Sequence, residues 1–137
     1  MNMNKLTQKS QEAFYEAQNI AIKHGHQEVD VEHLALALIS QENGLIPKLI
    51  TRMGLPAENI INALEIDLRK RPRVSGAGQE AGKIFVSQRL SQLIVKAGDE
   101  ADALKDDYVS VEHIFLAMLS EGTSAPSVKV FSAFGLN

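Results

Sequence analysis

The sequence contains no cysteine, so disulfides and thiolate metal centres are excluded and the core must hold without covalent staples. It also lacks any excess of positive charge. Lys and Arg number 14 against 17 Asp and Glu, a formal net charge of -3 with pI near 5.8, which points to no nucleic-acid partner. No apolar run approaches the length of a membrane span, and the N-terminal "MNMNKLTQKSQEAFYEAQ" lacks the apolar stretch of a secretory signal. Chemical motifs are missing as well. There is no G-x-x-x-x-G-K-[ST] phosphate loop, and "SGAG" at Ser75 to Gly78 has neither the lysine nor a preceding strand. There is no G-x-S-x-G elbow. His24, His26 and His33 lie near Glu28 and Glu32, but "EH" is not H-E-x-x-H and no two histidines stand at helical i, i+4 spacing. The chain is therefore expected to be non-catalytic and to hold no metal or cofactor. Its 137 residues suit one soluble, cytoplasmic domain, large enough to bury its own core.

What is present is a repeat. "VDVEHLALALIS" at Val29 to Ser40 returns as "VSVEHIFLAMLS" at Val109 to Ser120, with seven of twelve residues identical at an offset of 80. The register extends upstream, where Leu6-Thr7 meets Val86-Ser87, Ala17 meets Ala97 and Ala21 meets Ala101. Downstream, Gly54-Leu55 meets Gly135-Leu136 after a one-residue insertion. This period is too long for a solenoid, so the chain reads as an internal duplication with two helical subdomains packed face to face.

Each copy is helical by pattern. Leu90, Leu93, Ile94, Ala97, Ala101 and Leu104 follow i, i+3, i+4 spacing behind Ser87, a good N-cap; Phe14, Ala17, Ala21 and His24 do the same behind Thr7. The second helix of each copy, "LALALI" and "IFLAML", is apolar all round and belongs at the centre of a bundle. A third helix is expected over Pro47 to Met53, stopped by Gly54, and a fourth from near Pro56 to about Arg69. The second copy offers the third helix, about Ala125 to Phe134, but no counterpart of the fourth. The expectation is an all-α domain of two pseudo-symmetric four-helix repeats, about 5–70 and 85–137, the second truncated, in a chain cut from a longer protein. Between them, "RKRPRVSGAGQEAGK" reads as a solvated linker over about 71–84, with Arg69, Lys70, Arg71 and Arg73 the makings of a small anion patch.

The duplicated Glu-His admits two readings. Asp30 and Ser110 are N-cap residues, which puts Glu32 and Glu112 in a first turn, where the helix dipole favours a carboxylate. His33 and His113 then sit at a helix start, satisfied by backbone or by a carboxylate. Alternatively, two acids at pseudo-equivalent points beside a groove can hold a guanidinium or an amine.

"LTQKSQEAFYEAQNIA", "VDVEHLALALI", "RPRVSGAG" and "DDYVSVEHIFLAML" together resemble the duplicated N-terminal domain of the Clp chaperones, hexameric AAA+ unfoldases, over essentially the whole chain. The Arg71 to Gly76 linker resembles that of the ClpB disaggregase branch. The resemblance implies two Clp repeats that capture unfolded or aggregated polypeptide for a central pore, with ATP and Mg handled by AAA+ modules absent here. It further implies Thr7, Asp106, Glu112 and Glu32 as substrate-binding residues beside an apolar groove, adaptor proteins as further partners, a homohexameric parent and a monomeric isolated domain. The ClpC branch, which serves a protease and binds phosphoarginine, carries Thr-Glu-His where this chain has Val-Glu-His, so a phosphoarginine or adaptor role is the alternative.

Overall fold

A computed structural model describes residues 5–73, 85–122 and 124–136, and over these the chain forms seven helices and two very short strands. Helix α1 (Gln8–Lys23) begins where Thr7 Oγ1 accepts the Ser10 N–H at 3.2 Å, and its repeat-two twin α5 (Gln88–Ala103) begins where Ser87 Oγ accepts the Leu90 N–H at 3.0 Å. Their buried stripes coincide at the 80-residue offset: Ala13, Ala17 and Ala21 in one, Leu93, Ala97 and Ala101 in the other. Helices α2 (Val31–Ser40) and α6 (Val111–Leu119) are the central pair, and every residue of α2 from Val31 to Ile39 is buried. Helix α3 (Leu45–Arg52) starts earlier than the sequence predicts, because Pro47 fits inside a first turn, where the missing N–H would have no helical partner. Helix α4 (Ala57–Arg69) and helix α7 (Pro126–Ala133) follow the predicted bounds within a residue, and Gly54 and Gly135 both close a helix at positive φ, 74° and 90°.

The two repeats exchange backbone hydrogen bonds across a pseudo-dyad. Strand β1 (Glu28–Val29), just ahead of α2, pairs in parallel with β2 (Phe85–Val86), just ahead of α5. The equivalent residues in the other sense, Leu6 and Val109, form an isolated parallel bridge. Ser87 N–H donates to the Val29 carbonyl at 2.9 Å, and Thr7 N–H donates to the Val109 carbonyl at 3.1 Å. The two subdomains are thereby stitched at both helix-entry corners, and one continuous core runs through them, from Leu6 and Leu34 to Phe131.

The connector needs one correction. Most of the expected linker, 74–84, lies outside the described residues. Of its described residues Pro72 and Arg73 are exposed, as expected of a linker, but Arg71 is drawn in: its side chain is 22% exposed and bonds Asp30 and Asp67, each at 3.0 Å. Arg73 Nε donates to the His24 carbonyl, and Arg69 ends α4 paired with Glu65. Of the run of four cations, Arg69, Lys70 and Arg73 stay exposed, and Arg71 alone is taken up by the buried carboxylates Asp30 and Glu32.

Helix α4 packs along α2 and touches α7, whereas among the described residues nothing covers α6 in the same way. Leu36 is accordingly 4% exposed and its twin Leu116 47% exposed. Leu36→Ala is expected to cost about 2–4 kcal/mol by the lost contacts and the cavity, and Leu116→Ala less than about 1 kcal/mol. Urea unfolding of the two variants measures this, and equal losses would show that α4 does not create the difference.

Candidate functional site

Each Glu-His pair begins with a capping box in which histidine takes the place usually held by Glu or Gln. Asp30 caps α2 while its own N–H donates to His33 Nδ1 at 2.8 Å; Ser110 caps α6 while its N–H donates to His113 Nδ1 at 2.9 Å. Because Nδ1 accepts, a neutral ring carries its proton on Nε2. In repeat one that nitrogen meets His26 Nδ1 at 2.8 Å, and in repeat two it meets Asp106 Oδ2 at 2.8 Å. His26 and Asp106 stand at the same place in the duplication, so one clamp has been built twice from different partners. Burial first, then the neighbouring His26 and Arg71, push the His33 ring down to about 4; burial and then His24 lower His26.

The two glutamates part company. Glu32 is wholly buried, and its carboxylate takes a bidentate fork from Arg89, with Nη1 to Oε1 and Nη2 to Oε2 both at 2.9 Å. Arg71 Nη2 donates to Oε1, and the Ser127 N–H at the start of α7 donates to Oε2 at 2.9 Å. Asp30 joins the cluster, accepting from Arg71 at 3.0 Å, from Arg89 at 3.2 Å and from Ser87 Oγ at 2.7 Å, and Glu121 accepts from the far side of Arg89 at 3.0 Å. Burial alone would raise the Glu32 carboxyl, but the hydrogen bonds from Arg89 and Arg71 outweigh it and hold it at about 2. Glu32 therefore does hold guanidinium groups, and both belong to its own chain. Sequence reasoning missed Arg71 and Arg89 in this role, although an acid within an apolar helix is itself a signal that a cation must reach it.

Glu112, by contrast, is exposed. It shares a corner with the other two expected residues. Thr7 N–H bonds to Val109, which lies in the segment between Asp106 and Glu112, and Ser10 Oγ donates to the same carbonyl at 2.9 Å. Asp106 is half exposed while clamping the buried His113. Thr7 serves as the N-cap of α1 and donates to Ser10 Oγ at 2.9 Å. Beside them Lys5, Gly98, Asp102, Asp107 and Val109 help line a cleft of about 280 Å³. Glu32 occupies the equivalent corner of the other half, with Ser87 and His26 about it, so the structure gathers three of the four expected residues and sets the fourth apart.

Two measurements follow from this geometry. Glu32→Ala, which leaves two half-buried arginines short of a carboxylate and the Ser127 N–H without its acceptor, is expected to cost about 2–4 kcal/mol in denaturant unfolding, and Glu112→Ala no more than about 0.5 kcal/mol; equal effects would dissolve the distinction. His33 and Glu32 both titrate lower folded than unfolded. The unfolded chain thus binds protons first on acidification. Stability is full above the ordinary histidine value and falls with pH, through about 4 for His33 and towards about 2 for Glu32. His33→Gln keeps a capping-box residue without the titration, so its melting temperature is expected to fall less between neutral pH and about pH 4; an unchanged slope would remove His33 as the cause.

Comparison with known proteins agrees with this architecture. Residues 5–129 match the profile of the Clp repeat (R) N-terminal domain. The chaperone protein ClpB of Nitratidesulfovibrio vulgaris is 54% identical over 137 residues, all of this chain and 16% of that protein, and that of Bacillus cereus is 45% identical over 121 residues, 88% of this chain and 14% of that protein. The chain thus spans about a sixth of the length of these relatives. Among solved structures, the Hsp104 N-terminal domain from Candida albicans superposes with a TM-score of 0.81 at 20% identity, covering 97% of this chain and 83% of that one. A ClpV N-domain in complex with a VipB peptide superposes at 0.72 and 20% identity, covering 98% and 80%. At such identities the likeness speaks for the fold. On the profile match and the two ClpB relatives, the chain belongs to the Clp repeat N-terminal domain family, as a domain of the ClpB type.

Proposed function

We propose that this domain is the non-catalytic capture module of a ClpB-type, ATP-dependent disaggregase, binding unfolded or aggregated polypeptide for delivery to the pore of AAA+ modules carried elsewhere in such a protein. The observation that carries the reading is the corner of Thr7, Asp106 and Glu112. Two positions to either side of Asp106 in the chain are large apolar side chains left in water, Leu104 at 59% and Tyr108 at 57% exposed. Exposed apolar surface attracts the apolar segments that a folded client hides, and an acidic rim favours basic flanks. That a ClpV N-domain has been solved with a VipB peptide supports peptide binding by this fold. Affinity is expected to be micromolar or weaker, on the order of 6–8 kcal/mol, with avidity gained if the parent is a hexamer. Release to a pore then costs little.

A ClpC-like reading, with adaptors or phosphoarginine as ligand, draws on one observation. The Glu32 corner already binds guanidinium groups, and Glu112 presents the same carboxylate to solvent. Only Glu112 is open to such a ligand, because Arg71 and Arg89 fill the Glu32 corner.

An amide NMR titration with an unphosphorylated, permanently unfolded polypeptide, followed by free phosphoarginine, separates the two. Capture is supported by shifts around Thr7, Asp106 and Glu112 that phosphoarginine leaves in place, and by an affinity loss of about tenfold, 1.4 kcal/mol, in Asp106→Asn with Glu112→Gln. Unchanged affinity in that double variant would sink the site assignment, and tight phosphoarginine shifts without response to the unfolded chain would favour the second reading.

A further inference from the structure

A concavity of about 570 Å³ lies away from that corner, between α1, α2 and the middle of α4. Its floor is apolar, formed by Ala13, Ile20, Leu36 and Ala37. Its rim carries four carboxylates, Glu12, Glu16, Glu42 and Glu65, with Lys23 among them and Lys9 and Arg69 beside Glu12 and Glu65. We propose that this cleft is a second polypeptide-docking surface, one that takes a segment in which lysine or arginine side chains flank small apolar residues. The proposal rests on the capture reading and adds to it a client chemistry and a separate place.

Three observations converge on that occupant. The volume lies in the range of built ligand pockets and admits a few side chains. The carboxylates outnumber the cations beside them, four against Lys9, Lys23 and Arg69, and Glu16 and Glu42 have no cation paired to their carboxylates among the described ion pairs, which favours a cationic partner over a phosphate-bearing one. Glu12 and Glu16 stand one helical turn apart, a like-charge spacing that disfavours the free helix and is relieved when a cation comes between them. The ion pairs already present at the rim are of the exchangeable kind: Lys9 lies 3.8 Å from Glu12 and Arg69 3.2 Å from Glu65, with half or more of each cation's surroundings open to water or nearly so.

The duplication supplies an internal control. At the 80-residue offset Glu12, Glu16 and Glu42 become Gln92, Lys96 and Gly122, yet α5 and α6 pack as α1 and α2 do. The fold therefore does not require acids at these positions. Nor do they gather as metal ligands, since among the described residues no three carboxylates or imidazoles are placed to hold one ion.

The test uses two synthetic peptides titrated into the labelled domain, one with lysine and arginine flanking Ala-Leu segments and a twin with glutamate at the basic positions. The basic peptide is expected to shift amides at Glu16, Ile20, Leu36 and Ser40, and the acidic twin to shift none of them. Glu16→Lys with Glu42→Lys, both exposed positions, should weaken the basic peptide about tenfold or more. Glu16→Gln with Glu42→Gln should give a smaller loss, and Asp106→Asn with Glu112→Gln should leave cleft binding intact. The proposal is overturned if the shifts are confined to the Thr7, Asp106 and Glu112 corner, if either cleft variant binds as the parent does, if both peptides bind alike, or if neither binds. Cleft binding that persists while the Thr7 corner ignores unfolded chain would count against the capture site and uphold this one.

Discussion

Burying Glu32 within an otherwise apolar helix is the constraint on which the rest of the structure depends. A carboxylate there must be met by cations and N–H donors, and they come from three places: Arg71 beyond the end of α4, Arg89 in the first turn of α5, and the Ser127 N–H in α7; Glu121 after α6 in turn accepts from Arg89. Replacing such a cluster wholesale with apolar residues can be neutral for stability, whereas removing one member strands the others. Its contribution is positional. A planar guanidinium forked onto a carboxylate accepts one orientation, so α5 and α7 of repeat two are fixed against α2 of repeat one.

Around that anchor the duplication keeps its frame and varies its surface. Both helix entries, both capping boxes and both ring clamps recur, even where His26 in one repeat faces the role of Asp106 in the other. The left-handed residue after the first helix also recurs, as Gly25 at φ 74° and Lys105 at φ 60°. Exposure does not recur. Glu32 is sealed beneath Arg71 and Arg89 and Leu36 is 4% exposed beside α4, while Glu112 and Leu116 face solvent. The asymmetry follows from what packs on each copy, and of the two helix-entry corners it leaves that of repeat two with its glutamate open to solvent.

Much of this was legible in the sequence, because it is encoded locally. The helices follow from apolar spacing, the caps from Thr7, Ser87, Asp30 and Ser110, and the helix stops from Gly54 and Gly135. The histidines at helix starts were read as satisfied by backbone or carboxylate, and His113 meets both. The rest required three dimensions. No local pattern says that Arg71 and Arg89, eighteen positions apart, converge on one buried acid, and a basic run beside Pro and Gly looks the same whether it faces water or an ion cluster. The same blindness made Glu32 and Glu112 look equivalent, since an 80-residue identity carries no information on what covers each copy. Helix α3 began early for a related reason: proline is a boundary signal, but it is equally at home inside a first turn.

The division between a satisfied interior and a variable rim bears on which parts of the surface are free to change. Asp30 and Glu32 spend their carboxylates on the two arginines, Ser87 and Ser127, and His33 spends its ring on the Asp30 N–H and His26, so substitution there disturbs the frame. Glu12, Glu16 and Glu42 carry no such duty, and repeat two manages with Gln92, Lys96 and Gly122 in their places. A rim charge of this kind sits in high dielectric and costs the fold a few tenths of a kcal/mol to alter, yet in a binding cleft it sets which sign of partner is attracted. The preference of the surface can therefore be retuned one residue at a time on a frame that does not have to change.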